Sequence, residues 1–275
     1  MKTRAITGLF FIVVMLGSFF AGSTVYSVFY GLLGLLCLQE FYGLLKKSGH
    51  HPNIVMGLIN GLLIYGAFAA SFYFDTITGA AAIHKAIFLL VLPLVAIFIQ
   101  ELFRDLENPF ANVGYTFLGL LFTVIPFTFF HTLGFVTNSG FNAHIPMGFL
   151  LMLWANDTGA YLVGRQFGRT KLFERHSPKK TWEGFIGGIL ISALAGYVIS
   201  LYFHEMVWRQ WVSVAIIIGV VGTAGDLVES MLKRSINIKD SGGILPGHGG
   251  LLDRFDGLLL TAPVVFAYLY LVFNP

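Results

Sequence analysis

Residues 211–234 read WVSVAIIIGVVGTAGDLVESMLKR, and no part of the chain says more about its surroundings. From Trp211 to Gly225 there is no charged side chain; then Asp226, Glu229, Lys233 and Arg234 arrive together. At the rise of an α-helix, Asp226 sits roughly 22 Å from Trp211, most of the way across a hydrocarbon layer about 30 Å thick. An apolar run of this length that ends in charge reads as a membrane-spanning helix with chemistry at its inner end. Asp226, Glu229, Ser230 and Lys233 are spaced by three, four and seven, which places them on one helix face. A simple i,i+4 pair between Glu229 and Lys233 accounts for part of that stripe, but not for Asp226 at greater depth.

The remainder of the chain agrees. Of its 275 residues 56% are hydrophobic and 11% charged, with mean hydropathy +0.77; soluble domains carry about 25% charged residues. Lipid must be the solvent for much of this surface. The fold expected is an all-α, polytopic helical bundle of about nine transmembrane helices, near 5–21, 24–45, 54–74, 84–103, 112–134, 145–164, 184–203, 211–230 and 251–273. The first segment, behind Lys2 and Arg4, is read as an uncleaved helix rather than a signal peptide, because a second apolar segment follows at once. The single Cys37 allows no internal disulfide and no cysteine-built zinc site, and reads as a packing residue.

A cytoplasmic N-terminus puts nearly all of the 17 basic residues on the inner side, with only Lys85 and Arg209 outside, as the positive-inside rule requires. Two inner segments, 164–184 and 231–250, are long and rich in glycine and basic residues. The chain therefore divides into an N-terminal packing region, 1–140, and a C-terminal active region, 141–275, with the active face toward the cytoplasm. No internal repeat of the kind that builds transporters is evident.

An ionisable residue at the bilayer centre costs about 2.5 to 3.5 kcal/mol on insertion scales, so each asks for a partner or a job. Asp157 lies roughly 18 Å into the sixth segment, beside Asn156 and Thr158, where a structural hydrogen-bond cluster is the plainer alternative. Asp253 and Asp256 open the last segment, where helix capping would also suit them. Together with Asp226 these acids come from three helices and meet in the cytoplasmic half. Clustered carboxylates repel unless a cation lies among them, and hard oxygen donors without cysteine or paired histidines favour magnesium over zinc. The spacing leaves open how many ions bind and which acids touch them. Cations ring the same place: Ser177-Pro178-Lys179-Lys180-Thr181 precedes the seventh segment, and Lys233, Arg234 and Lys239 follow the eighth. Metal plus cations suits polyanionic phosphate. For Lys46, Lys47, Arg165 and Arg169 an ordinary contact with anionic lipid is the better reading. The run 242–250, GGILPGHGG, lets backbone amides approach a phosphate, with His248 as a donor; it is neither a Walker loop nor a dinucleotide fingerprint.

Ser230-Met231-Leu232-Lys233-Arg234, Lys239-Asp240, Leu245-Pro246-Gly247-His248-Gly249-Gly250 and Asp253-Arg254-Phe255-Asp256 together resemble the C-terminal signature of phosphatidate cytidylyltransferases, or CDP-diacylglycerol synthases. Asp157-Thr158-Gly159-Ala160-Tyr161, Gly164-Arg165 and Ser177 to Gly184 resemble the same family, so the likeness covers about the last 120 residues firmly. It implies transfer of the cytidylyl group of CTP to phosphatidate, with magnesium required and a second metal ion left open. On that resemblance Asp226, Asp253 and Asp256 are the metal-site acids and, with Lys233 and Lys239, the catalytic set. Asp157, Ser177, Lys179, Lys180, Thr181, Ser230, Arg234, Asp240, His248, Gly249, Gly250 and Arg254 are the expected substrate-binding residues. It further implies a homodimer, with CTP, phosphatidate and membrane lipid as partners and no nucleic acid; a compact chain without appended domains suggests residence in a bacterial plasma membrane. Gly57 to Gly61 and Gly184 to Gly188 have the small-residue spacing that permits close helix approach.

Three other readings compete, of which a structural or chaperone-like membrane protein leaves the convergence of acids, cations and glycines unexplained. A CDP-alcohol phosphatidyltransferase also clusters Asp, but its acidic motif runs from Asp-Gly to Ala-Arg, whereas Asp256-Gly257 here runs into Leu258-Leu259-Leu260. A cation or phosphate transporter would use buried Asp too; it predicts flux without CTP turnover.

Overall fold

A computed structural model of the chain describes residues 2–78, 88–137, 140–238 and 249–274. The helices are α1 (Lys2–Phe20), α2 (Ser23–Lys47), α3 (Ile54–Thr78), α4 (Val91–Glu101), α5 (Pro109–Leu133), α6 (His144–Phe167), α7 (Trp182–Ser200), α8 (Trp208–Ser235) and α9 (Leu252–Phe273). Each matches one of the apolar segments expected from hydropathy, within the described residues. Six of them, α2, α3, α5, α7, α8 and α9, are long and apolar enough to cross a membrane. The 24-residue α6 is not among those six, because its Asn156-Asp157-Thr158 notch lowers the hydropathy of an otherwise sufficient length. The α4 segment is described over 11 residues only.

One expectation needs correction: the fold is not purely helical. Lys171–Phe173 (β1) and Ser177–Thr181 (β2) form an antiparallel hairpin, with Lys171 opposite Thr181 and Phe173 opposite Ser177. The Lys171 ammonium donates to the Pro178 carbonyl at 2.7 Å. The Glu183 carboxylate accepts from the backbone amides of Arg169 and Thr170, both at 3.1 Å. β1 is too short for alternation to appear in sequence; local hydrogen bonds rather than apolar pattern hold it.

The described chain divides into two compact units, Met1–Thr132 with Ile236–Leu252, and Leu133–Ser235 with Asp253–Pro275. The first is packed around tyrosines whose rings are buried and whose hydroxyls find carbonyls, as buried phenols must. Tyr26 donates to Phe130, Tyr42 to Thr116 and Tyr65 to Ser27, each at 2.7 Å. Gly57 lies against the Tyr42 ring and Gly61 against Leu38. α5 is interrupted by a π-turn over Leu120–Val124 and begins at Pro109 after Asn108, whose φ is 59°.

In the second unit Trp211 is fully buried over Gly148, where a Cβ would come within 2.6 Å of its ring. The Ser192 hydroxyl lies 3.1 Å from the Met152 carbonyl and 3.2 Å from that of Ala215, linking α6, α7 and α8. Gly188 packs on Asn156 and Gly184 on the Ala160 carbonyl. Both glycine pairs singled out in the sequence are thus taken up by contacts inside the chain.

Candidate active site

The acids expected to act together lie in the second unit, on α6, α8 and α9, with β2 beside them. The hairpin is what delivers Lys180. Alternation along β2 sends Lys179 and Lys180 to opposite sides; Lys179 is exposed, while the Lys180 ammonium lies 2.5 Å from Asp226 Oδ2. β2 is joined directly to α7, whose first turn is capped by the Thr181 hydroxyl accepting from the Gly184 amide at 3.2 Å. Such a cap is typically worth about 1 kcal/mol. Thr181, expected among the substrate ligands, is buried and holds this corner.

α8 presents the predicted stripe. The Ser230 hydroxyl donates to Asp226 Oδ1 at 3.3 Å. One turn further, the Lys233 ammonium lies 2.5 Å from Glu229 Oε2 and 2.7 Å from Asp253 Oδ1 on α9. Asp253 is partly exposed at the start of α9 and Asp256 follows one turn later, its carboxylate accepting from the Gly257 amide at 2.7 Å. The two helices approach closely at this level. A Cβ on Gly225 would stand 2.5 Å from the Asp256 carbonyl oxygen. Glycine at 225, immediately before Asp226, is therefore what lets α9 reach α8 where the acids are.

Asp256 interacts electrostatically with Asp226, Glu229 and Asp157, and Asp157 with Lys180 and Asp226. Five carboxylates among the described residues thus share their surroundings with two lysine ammonium groups, and carboxylates crowded in this way repel one another when ionised unless a cation stands among them. Among the described residues no three His, Cys, Asp or Glu side chains are drawn together tightly enough to enclose an ion. The donors present are all oxygen, the kind magnesium takes, and that ion commonly completes its shell with water and substrate phosphate.

Asp157, Asp226, Asp253, Asp256, Lys180, Lys233 and Ser230 are therefore brought into one charged neighbourhood. Arg234 and Arg254 are exposed and Ser177 is half-buried at the start of β2. Gly249 has a φ of 83°, in the left-handed region that favours glycine, and Gly250 follows it into α9. Lys239, Asp240 and His248 lie outside the described residues. Glu229 is the one the sequence reading passed over as an ordinary helix pair. Its place on the same stripe as Asp226, in the inner part of an apolar helix, was the available signal. A cavity of about 640 Å³ lined by Ser200, His204, Glu205, Trp208 and Phe273 lies where α7 ends and α8 begins, away from these acids.

Residues 2–272 match the sequence model of the cytidylyltransferase family. A Staphylococcus haemolyticus protein named phosphatidate cytidylyltransferase is 32% identical over 268 residues, covering 96% of this chain and 97% of its own. Proteins of the same name from Staphylococcus aureus and Bacillus subtilis are 33% identical over 270 residues and 32% over 274. The first comparison covers 96% of this chain and 97% of the relative, the second 98% of each.

Proposed function

The chain belongs to the cytidylyltransferase family, and we infer that it transfers the cytidylyl group of CTP to phosphatidate, giving CDP-diacylglycerol and pyrophosphate. The observation that carries the reading is the joining of Lys180 to Asp226, and of Lys233 to Asp253, in one cluster of carboxylates at the ends of apolar helices.

In this reaction a phosphatidate oxygen attacks the α-phosphorus of CTP, and the bond from that phosphorus to the pyrophosphate oxygen breaks in line. The phosphate monoester is largely ionised near neutral pH, so no strong base is required. What the protein must supply is orientation and neutralisation of charge. Lys180 and Lys233 neutralise triphosphate or lipid phosphate, and their carboxylate partners aim them. Asp226, Asp253 and Asp256 would hold magnesium, which would supply positive charge at the phosphates when bound. Ser230 orients Asp226, and Asp157 extends the polar wall toward the nucleotide. Lys239 is assigned to the same catalytic set. Ser177, Lys179, Arg234, Asp240, His248, Gly249, Gly250 and Arg254 are assigned to the substrates, and Thr181 to keeping β2 in place for them.

The crowding of basic residues at one end of the apolar segments supports a cytoplasmic N-terminus and active site. CTP then arrives from solution, while phosphatidate offers its head group from the inner leaflet of a bacterial plasma membrane. Two copies of the chain are proposed to associate.

Pyrophosphate release by purified protein in mixed micelles is the direct test. Release that requires CTP, phosphatidate and magnesium together, and is lost in Asp253→Asn, is expected. Folded protein that binds phosphatidate yet never turns over CTP would sink the reading and favour transport.

A further inference from the structure

Glu229 has no part in the scheme above, yet it is fully buried on the stripe that carries Asp226. We propose that Glu229 is a positioning residue: it fixes the Lys233 ammonium, and Lys233 in turn holds the Asp253 carboxylate where cytidylyl transfer needs it. The proposal rests on the reading that Lys233 and Asp253 serve nucleotide transfer.

The geometry is that of a clamp with one fixed jaw. Glu229 and Lys233 are one turn apart on α8, so their separation is set by the helix. Asp253 belongs to another helix, 20 residues on. The 2.7 Å to Asp253 is that of a charge-assisted hydrogen bond, and Glu229 Oε2 stands 2.5 Å from the same ammonium as an ion pair. A lysine stem is long and flexible, and its ammonium adopts one position only when several partners agree on it. Here one donor goes to Asp253, the Glu229 carboxylate holds the ammonium by charge, and donors remain for a phosphate. Without Glu229 the ammonium would be tethered by Asp253 alone, and the pair could move together.

An exposed i,i+4 pair would explain the same two residues as ordinary helix decoration, but that explanation fails at zero exposure. Burying a carboxylate and an ammonium costs desolvation that a single pair does not reliably recover. Holding the ammonium between two carboxylates links α8 to α9, about two turns along α8 from the close approach at Gly225.

The test uses the full chain in mixed micelles containing CTP, magnesium and phosphatidate. Glu229→Gln is expected to lower kcat about 10²-fold, the scale of a small misplacement, with KM for phosphatidate nearly unchanged. In a Lys233→Met background the same substitution should add almost nothing, because the residue it acts through is gone. Independently of turnover, reductive methylation read by mass spectrometry should find Lys233 protected in the wild type and clearly more reactive in Glu229→Gln. Should Glu229→Gln fail to fold, Glu229→Asp keeps the charge on a shorter arm and should give intermediate kcat and intermediate Lys233 reactivity. Multiplying losses in the double variant, full kcat in either single variant, or unchanged Lys233 reactivity would each overturn the proposal. Wild-type protein that does not turn over CTP overturns the transferase reading instead, and the methylation result then judges the clamp by itself.

Discussion

Lys180 reaches from the short strand β2 to place its ammonium 2.5 Å from Asp226 Oδ2 on α8. The two residues are far apart in the chain and belong to elements of different kind, so the pair depends on the hairpin being formed. Lys180→Met should therefore lower pyrophosphate release about 10²-fold, the scale of losing one preorganised charge at a reacting centre. Lys180→Arg should recover part of it. Steady-state rates at saturating substrates decide the matter; a Lys180→Met enzyme with wild-type kcat would remove Lys180 from the chemistry.

The crowding of carboxylates around Asp256 leads us to expect that activity requires an added divalent cation. Exhaustive treatment with EDTA should abolish turnover and magnesium should restore it. Asp256→Asn should raise the magnesium concentration for half-maximal rate about 10-fold or more. A variant whose magnesium titration overlays the wild type would show that Asp256 has another task.

Gly225 is a packing requirement at the site itself. Adding a methyl group there meets the Asp256 carbonyl oxygen at 2.5 Å, so Gly225→Ala should destabilise by about 1 to 3 kcal/mol as α8 and α9 are pushed apart. Activity should fall with it. Gly114→Ala, which meets nothing within 4 Å inside a helix, is the control and should lower neither. Thermal melting in detergent, read beside the rate assay, separates the two.

Glu205 gives a pH-dependent contribution outside the membrane-spanning helices. Burial pushes its carboxyl pKa up, but hydrogen bonds from Asn142 and His144 outweigh burial and hold it below the usual range. A folded-state pKa below the unfolded one means stability that is present above the ordinary Glu value, about 4.3. That stability is lost as pH falls through the lowered folded value. Glu205→Gln should accordingly lower Tm at pH 7, and the gap should close on acidification. An equal gap at pH 7 and pH 3 would refute the linkage.

Hydropathy alone located all nine described helices, because the preference of an apolar run for lipid and the need to satisfy its backbone internally are properties of the run itself. The helical periodicity of residues 211–234 likewise determined that Asp226, Glu229, Ser230 and Lys233 share a face. The order of the C-terminal signature was enough to indicate the family. Tertiary structure decided the rest. The β1–β2 hairpin is too short to have a pattern, and only its closure turns Lys180 rather than Lys179 toward Asp226. Glu229 looked like half of an ordinary i,i+4 pair until Asp253 arrived from another helix to share its lysine. Gly225 was one glycine among 32 until the Asp256 carbonyl filled the space beside it. Periodicity is fixed by neighbours within one turn of chain, whereas the energy of an ion pair or a close contact depends on which distant group comes to stand opposite.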